Sequence, residues 1–366
     1  MKVIDEMFPV VRGAAVQAAS VFLDLEASTA KACGLIREAG ANGAQIVAFP
    51  EGFLPGHPSW FHFFPATSAR ARDLSFELYE KSLQVPGPET RLLGQAASEA
   101  GCYVVIGVCE HASAISGSLF NSQLFFSPEG ELIGKHQKLM PTVGERLIHS
   151  RGWGDTMAAF DTPFGPASAL ICSENSNPLA VFDLISQGSR IHTMSWPPHF
   201  IVTRSDAPAM SDVSVLTARN FALASKAFVL SSCGIADEYY INKLGLRAED
   251  AEVLRSGKGQ GGSAIIAPDT SVIAGPLNGS QEGIVYADMD LKSWVHGKNF
   301  QDYAGHYSRP DVFELHVNRT PRGSEISEEA SGRWASARNK PRADSAVERD
   351  DTPLVAHARD DLEPKL

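Results

Sequence analysis

No stretch of this 366-residue chain is both long and apolar enough to span a bilayer. Its start, Met1-Lys2-Val3-Ile4-Asp5-Glu6, carries two early acids where a secretory signal would have a basic then apolar opening. A cytoplasmic protein is therefore expected. Positive charge is in deficit: 32 Lys and Arg stand against 43 Asp and Glu, a formal net charge of -11. Such a surface repels phosphate backbones and anionic lipid head groups, which argues against nucleic-acid and membrane partners. Cysteine is scarce. Five residues (33, 102, 109, 172 and 233) form an odd set with no Cys-x-x-Cys pair, against both a disulfide framework and a thiolate zinc site. The eleven histidines include no His-x-x-x-His pair coupled to carboxylates, and His57 and His62, five apart, suit no single-helix site, so no metal is expected. Gly257-Lys-Gly-Gln-Gly-Gly262 lacks the Lys-then-Ser/Thr ending of a phosphate loop and precedes a strand, so it is expected to be a tight bend.

What the chain does have is a composition that builds a core, 43% hydrophobic, arranged as strand-length apolar runs alternating with helical spacing. The class is α/β. Gly13–Ala18 and Gln45–Pro50 read as strands around a helix from Asp24 to Ala39, and a helix over Glu89–Ala100 leads to a strand, Tyr103–Gly107, closed by glycine. Pro128-Glu-Gly130 and Pro163-Phe-Gly165 are turn signals that predict hairpins over Leu124–Ile133 and Phe160–Ile171. Helices over Leu179–Gln187 and Ala209–Lys226 and strands over Ile191–Ser195 and Phe228–Ser231 follow. Residues 1–318 read as the folded domain, and 319–366, crowded with charge, Ser, Pro and Ala, as a mobile tail.

Three reactive side chains fall at strand ends, where a rigid scaffold exposes catalytic groups. Glu51 follows four apolar residues and a proline, a setting in which desolvation raises a carboxyl toward a working base. Lys138 follows the second strand of a hairpin, where an ammonium stabilises a negative tetrahedral intermediate. Cys172 closes Ala169-Leu-Ile171 and enters Ser173-Glu-Asn-Ser-Asn-Pro178, a strand-to-helix elbow whose backbone N–H groups favour a thiolate. Taken singly, each has a plain structural reading: a solvated acid, a surface lysine, a packed thiol.

Together they resemble the three motifs of the nitrilase branch of the carbon–nitrogen hydrolases: Phe49-Pro-Glu-Gly-Phe-Leu-Pro-Gly56, His136-Gln-Lys-Leu-Met-Pro-Thr142 with Glu145-Arg146, and Cys172-Ser-Glu-Asn175. Gly152-Trp-Gly-Asp155, Asp161–Gly165, Gly261–Pro268 and His306–Phe313 extend the resemblance to residues 10–318. It implies a four-layer α-β-β-α sandwich. It also implies Cys172 as nucleophile, Glu51 as general base, Lys138 as stabiliser and Glu145 as a second acid, with no cofactor. The substrate would be a small nitrile, and the chain would pair into a homodimer that assembles into a larger oligomer or spiral. The sequence departs from the family at Ser173, where Trp is common, and at Ser150-Arg151, where an aromatic is often found; both bear on substrate preference. Trp60, Phe61 and Phe64 in an aromatic loop, Ser173 and Asn175 beside the nucleophile, and Trp196 after a strand are candidate substrate contacts. An amidase or carbamoyl hydrolase would use the same Glu-Lys-Cys set, and a non-catalytic filament-forming scaffold would not need it.

Overall fold

The computed structural model describes residues 2–113, 116–199 and 208–320. Its strands are β1 (Val10–Gln17), β2 (Ile46–Ala48), β3 (Tyr103–His111), β4 (Leu119–Phe126), β5 (Leu132–Gln137), β6 (Ala167–Ile171), β7 (Ile191–Trp196), β8 (Phe228–Cys233), β9 (Ala264–Ile266), β10 (Val272–Ala274) and β11 (Gly283–Asp290). Its helices are α1 (Lys2–Met7), α2 (Leu25–Ala41), α3 (Ala69–Lys81), α4 (Pro88–Ala100), α5 (Pro178–Ser186), α6 (Met210–Ser225), α7 (Glu238–Leu244), α8 (Ala248–Arg255) and α9 (Lys292–Phe300).

Two mixed sheets form, in the orders β11-β1-β2-β3-β4-β5 and β10-β9-β8-β7-β6. The inner strands, β1–β4 and β6–β9, are buried on both faces along most of their length, which is why most of them read as nearly unbroken apolar runs. Along β1, Val11 and Ala15 join a core shared with Phe228 and Leu230 of the other sheet, while Ala14 and Val16 point the other way, toward Ala32 and Ile36 of α2 and Leu93 of α4. Beyond the second sheet, Leu170, Met194 and Val229 pack on Leu184 of α5 and Ala218 and Phe221 of α6. Helices, sheet, sheet, helices is the four-layer sandwich expected.

Two expectations change. The strand at Tyr103 does not stop at Gly107 but runs to His111. Gly107 is instead a crossing point, where a Cβ would sit 2.7 Å from the Gly52 nitrogen and 2.9 Å from the Glu51 Cα. The predicted hairpin over Phe160–Ile171 contracts to one antiparallel bridge, Phe160 with Ala167, because β6 pairs in parallel with β7 instead. The hairpin at Pro128–Gly130 forms as β4 and β5, and Gly257, Gly261 and Gly262 adopt left-handed backbone in the bend before β9.

Among the described residues no helix is long and apolar enough to cross a membrane. Of the charged stretch 319–366, residues 321–366 lie outside the described residues. Arg319 at its start is anchored: its guanidinium is 2.5 Å from the buried Asp183 carboxylate in α5 and donates to the Met157 carbonyl.

Candidate active site

The loop after β2 crosses from one sheet to the other. Phe49 N donates to the Val105 carbonyl at 2.8 Å, and two residues later Glu51 N donates to the Trp196 carbonyl at 3.1 Å. Glu51 is thus fixed between the sheets. Lys138 is the first residue past β5, its N–H held by the Asn121 carbonyl at 2.8 Å, and Gly152 lies so close that a Cβ there would sit 2.8 Å from the Lys138 carbonyl oxygen. Cys172 is the first residue past β6 and opens a 3-10 turn, Cys172–Ser176, at φ 54. That is left-handed backbone for a side chain with a Cβ, a strain of about 1–3 kcal/mol that surrounding bonds must hold.

Those bonds come mainly from Glu174 and Asn175. Glu174 Oε2 accepts from Ile171 N at 3.0 Å and pairs with His136 Nε2 at 2.9 Å, while its Oε1 accepts from Leu139 N. One carboxylate therefore ties the residue before Cys172 to the residue after Lys138 and sets their spacing. Asn175, expected beside the substrate, serves the elbow instead. Its amide donates to the Leu170 and Cys172 carbonyls at 3.1 and 2.9 Å and its oxygen pairs with His192 Nε2 at 2.8 Å, so both of its N–H groups and one acceptor position are taken within the fold.

Lys138, Glu51 and Glu145 form one buried cluster. The Lys138 ammonium donates to Glu51 Oε1 at 2.7 Å and Glu145 Oε2 at 2.6 Å, and the Asn121 amide nitrogen lies 2.7 Å from Glu51 Oε1 and from Glu145 Oε1. Glu145 also accepts from Thr142 N at 2.9 Å and pairs with His149 Nδ1 at 3.0 Å. Glu51 Oε1 is thus held by two donors, while Glu51 Oε2 is buried with no partner among the described residues. An orphaned carboxylate oxygen in a buried site is a proton acceptor held in readiness.

The electrostatics reverse two expectations. Burial pushes the Glu51 carboxyl up, as the sequence suggested, but the Lys138 ammonium and His57 outweigh it and hold the group below the ordinary carboxylate value. Burial and the Glu51 charge push the Cys172 thiol up to about 12 despite Lys138, so the resting site holds a thiol, not a thiolate favoured by the elbow. Burial works against the Lys138 ammonium, yet Glu51 and Glu145 raise it well above its usual value. Glu51, His57 and Glu145 each offer a ligand atom within 4.8 Å of the others. The Lys138 ammonium already sits bonded to both carboxylates, so a metal ion there would face a fixed positive charge.

The remaining candidates divide. Trp60, Phe61 and Phe64 do share one recess, of about 60 Å³, whose opposite wall is Gly144, Leu147 and Ile148, the residues around Glu145. Ser173 is exposed with its hydroxyl 3.7 Å from Cys172 Sγ. Trp196 is fully buried, its indole N–H donating to Ser231 Oγ at 3.0 Å, and it lines neither recess near the site; its backbone carbonyl, which receives Glu51 N, is its link to the chemistry. Asn121, His57 and His149 were not foreseen. The signal for Asn121 was a polar triplet, Asn121-Ser-Gln123, inside an otherwise apolar strand.

Comparison with known proteins identifies the family of the chain. The family model described as carbon-nitrogen hydrolase matches residues 12–298. The chain is 36% identical over 316 residues to an arylacetonitrilase of Aspergillus niger, covering 85% of this chain and 93% of that one. It is 37% identical over 325 residues to an aliphatic nitrilase of Sinorhizobium fredii, covering 86% and 98%. Among solved structures, Saccharomyces cerevisiae Nit3, a member of branch 10 of the nitrilase superfamily, superposes with TM-score 0.60 over 83% of this chain and 97% of that chain at 18% identity, a likeness of fold. The chain belongs to the carbon-nitrogen hydrolase family, in its nitrilase branch.

Proposed function

We propose that this hydrolase converts an organic nitrile to the carboxylic acid and ammonia through Cys172. The observation that carries the reading is the unpartnered Glu51 Oε2 in a buried cluster whose ammonium and carboxylates act on the Cys172 thiol. Because the thiol is held at about 12 and Glu51 is held low, a free thiolate is a minor species. Proton transfer to Glu51 Oε2 therefore coincides with attack of Sγ on the nitrile carbon. The nitrile nitrogen takes that proton, giving a thioimidate. Glu51 next removes a proton from water as its oxygen bonds to the same carbon, and the nitrogen becomes an amine on a tetrahedral centre. Lys138 faces the charge developing there. Breaking the C–N bond, with a proton passed to nitrogen, releases ammonia and leaves a thioester, which a second water opens to the acid and the thiol.

Breaking C–S instead of C–N at the tetrahedral centre would release an amide, and the exposed Ser173 hydroxyl beside Sγ bears on that partition. The test is a panel of aryl, arylaliphatic and aliphatic nitriles and their amides, with ammonia, acid and amide all measured. Ammonia and acid from nitriles are expected. Turnover of amides alone would replace the reading with an amidase.

The five cysteines are all free and buried, which supports a reducing, cytoplasmic setting. Leu179 on α5 and Leu216 and Leu223, one heptad apart on α6, stand 63%, 70% and 53% exposed on neighbouring helices. An apolar stripe of this kind supports a two-fold homodimer through this layer, the unit from which a larger oligomer would grow. Leu216→Glu with Leu223→Glu is expected to halve the mass measured by light scattering; an unchanged mass would place the interface elsewhere.

A further inference from the structure

The loop after Glu51 returns an imidazole to it. His57 is buried; its Nδ1 lies 2.8 Å from the hydroxyl of Ser59, itself fully buried, and its Nε2 lies 3.4 Å from Glu51 Oε1 and 4.0 Å from Glu145 Oε1. Among the described residues His57 Nε2 makes no hydrogen bond as placed; Glu51 Oε1 at 3.4 Å is a charge-pair contact that a small turn of the ring would close to a bond. The loop cannot swing away: Leu54 N bonds to the Gly107 carbonyl, Cys109 Sγ lies 3.4 Å from the Gly56 carbonyl, and a Cβ at Gly52 would touch the His57 backbone at 3.2 Å. Glu51 and His57 also share the wall of a cavity of about 10 Å³, the space of one water.

We infer that Ser59 and His57 are positioning residues for the general base: the Ser59 hydroxyl donates to Nδ1 and so places the ring proton on Nε2, which faces Glu51 Oε1. With Lys138 and Asn121 bonded to it and the Nε2 proton facing it at 3.4 Å, that oxygen is closed to proton exchange, leaving Oε2 as the oxygen that takes the proton of Cys172 or of water. The charge count supports the arrangement. Two buried carboxylates share one ammonium, so a further donor facing them offsets the uncompensated negative charge. The titratable groups that face His57 are the Glu51 and Glu145 carboxylates, the Lys138 ammonium beyond them, and the imidazoles of His62, His149 and His199, with the Tyr240 phenol on the far side of Ser59.

The inference rests on Glu51 acting as base in the reaction proposed above, and it is tested with and without a nitrile. A donor to the ionised carboxylate lowers its pKa, so removing the donor raises it and moves the acid limb of the pH profile upward. In His57→Leu the acid limb of kcat/KM, and the acid limb of iodoacetamide alkylation at Cys172 followed by peptide mass spectrometry, are both expected to move up by about one pH unit. Below the limb that is about a tenfold loss of rate. His57→Gln, which restores a neutral N–H donor, is expected to recover at least half the shift, and Ser59→Ala to give a smaller shift in the same direction that vanishes in the His57→Leu background. An alkylation limb unmoved in His57→Leu and Ser59→Ala, or a His57→Gln limb displaced as far as that of His57→Leu, would overturn the inference and leave His57 a packing residue. Should the wild-type protein turn over no nitrile, the nitrile reading fails while the alkylation limb still decides the role of His57.

Discussion

Cys172→Ala is expected to lose activity on nitriles by on the order of 10⁴ to 10⁶ in kcat while staying folded, within about 1 kcal/mol of the parent's stability. The loss is large because the substitution removes the bond-forming atom, and no neighbour can take its place. Ser173 Oγ is 3.7 Å away and exposed, and among the described residues its hydroxyl bonds to no carboxylate or imidazole. Stability is expected to hold because the thiol is neutral at ordinary pH, its pKa pushed to about 12, so no buried charge loses a partner. Alanine has the same Cβ, so the strain of the left-handed backbone at φ 54 is unchanged, and the bonds from Glu174 and Asn175 that hold the elbow are to backbone groups that remain. The cavity left is that of one sulfur atom, costing about 1 kcal/mol. Intact-mass spectra of enzyme quenched during turnover should show a covalent adduct on the parent and none on the variant. Activity above about one hundredth of the parent, or an adduct on the variant, would show that another residue attacks the nitrile.

The elements that place this thiol were legible because strands buried on both faces announce themselves as apolar runs, and a polar or charged residue at their end stands out. Glu51, Lys138 and Cys172 were all found that way. What sequence could not supply was the distance between them. Glu51 was expected to be raised by burial, and burial does raise it, but the ammonium that reverses the sign comes from 87 positions along the chain. The elbow at Cys172 is expected to favour a thiolate through local backbone dipoles, a short-range argument defeated first by burial and then by the Glu51 and Glu145 carboxylates from other loops. Asn175 was read as a substrate contact from its place beside the nucleophile; only the fold shows that His192 and two carbonyls occupy its amide. Helix α3 and strand β11 carry mixed polar and apolar residues and were not anticipated, because their stability comes from docking on the domain: β11 pairs along the whole length of β1. Glu174 was noticed as a motif residue, but its function as the tie between the Cys172 and Lys138 strand ends needs both strands in place.

Lys138→Met is expected to abolish turnover and, in addition, to reverse how stability depends on pH. In the parent, Glu51 and Glu145 sit below the ordinary carboxyl value of 4.5, so their contribution to stability is present above that pH and is lost as pH falls through their lower folded values. Lys138 sits well above 10.5, so its contribution is present below that pH and is lost only as pH rises through its folded value. Between about pH 4.5 and 10.5 the cluster's contribution is therefore flat. Without the ammonium, two buried carboxylates face one another across Asn121, and at least one becomes a carboxyl whose folded pKa exceeds its unfolded value. Its contribution is then greatest at low pH and is lost as pH rises, with a slope of up to about 1.4 kcal/mol per pH unit for each proton held. At pH 7 the variant should be less stable than the parent by about 3–5 kcal/mol, the usual cost of leaving buried charge unpaired, and the deficit should shrink toward pH 5. Urea unfolding at several pH values between 5 and 8 reads both quantities. Lys138→Arg is the companion: it keeps the charge, so its stability should stay flat over the same window, while the planar guanidinium cannot take the place of the ammonium between Glu51 and Glu145 and activity should still fall. A Lys138→Met protein whose stability is flat or rises between pH 5 and 8 would mean that His57 or His149 already neutralises the second carboxylate, and that Lys138 is not the group holding the cluster charged.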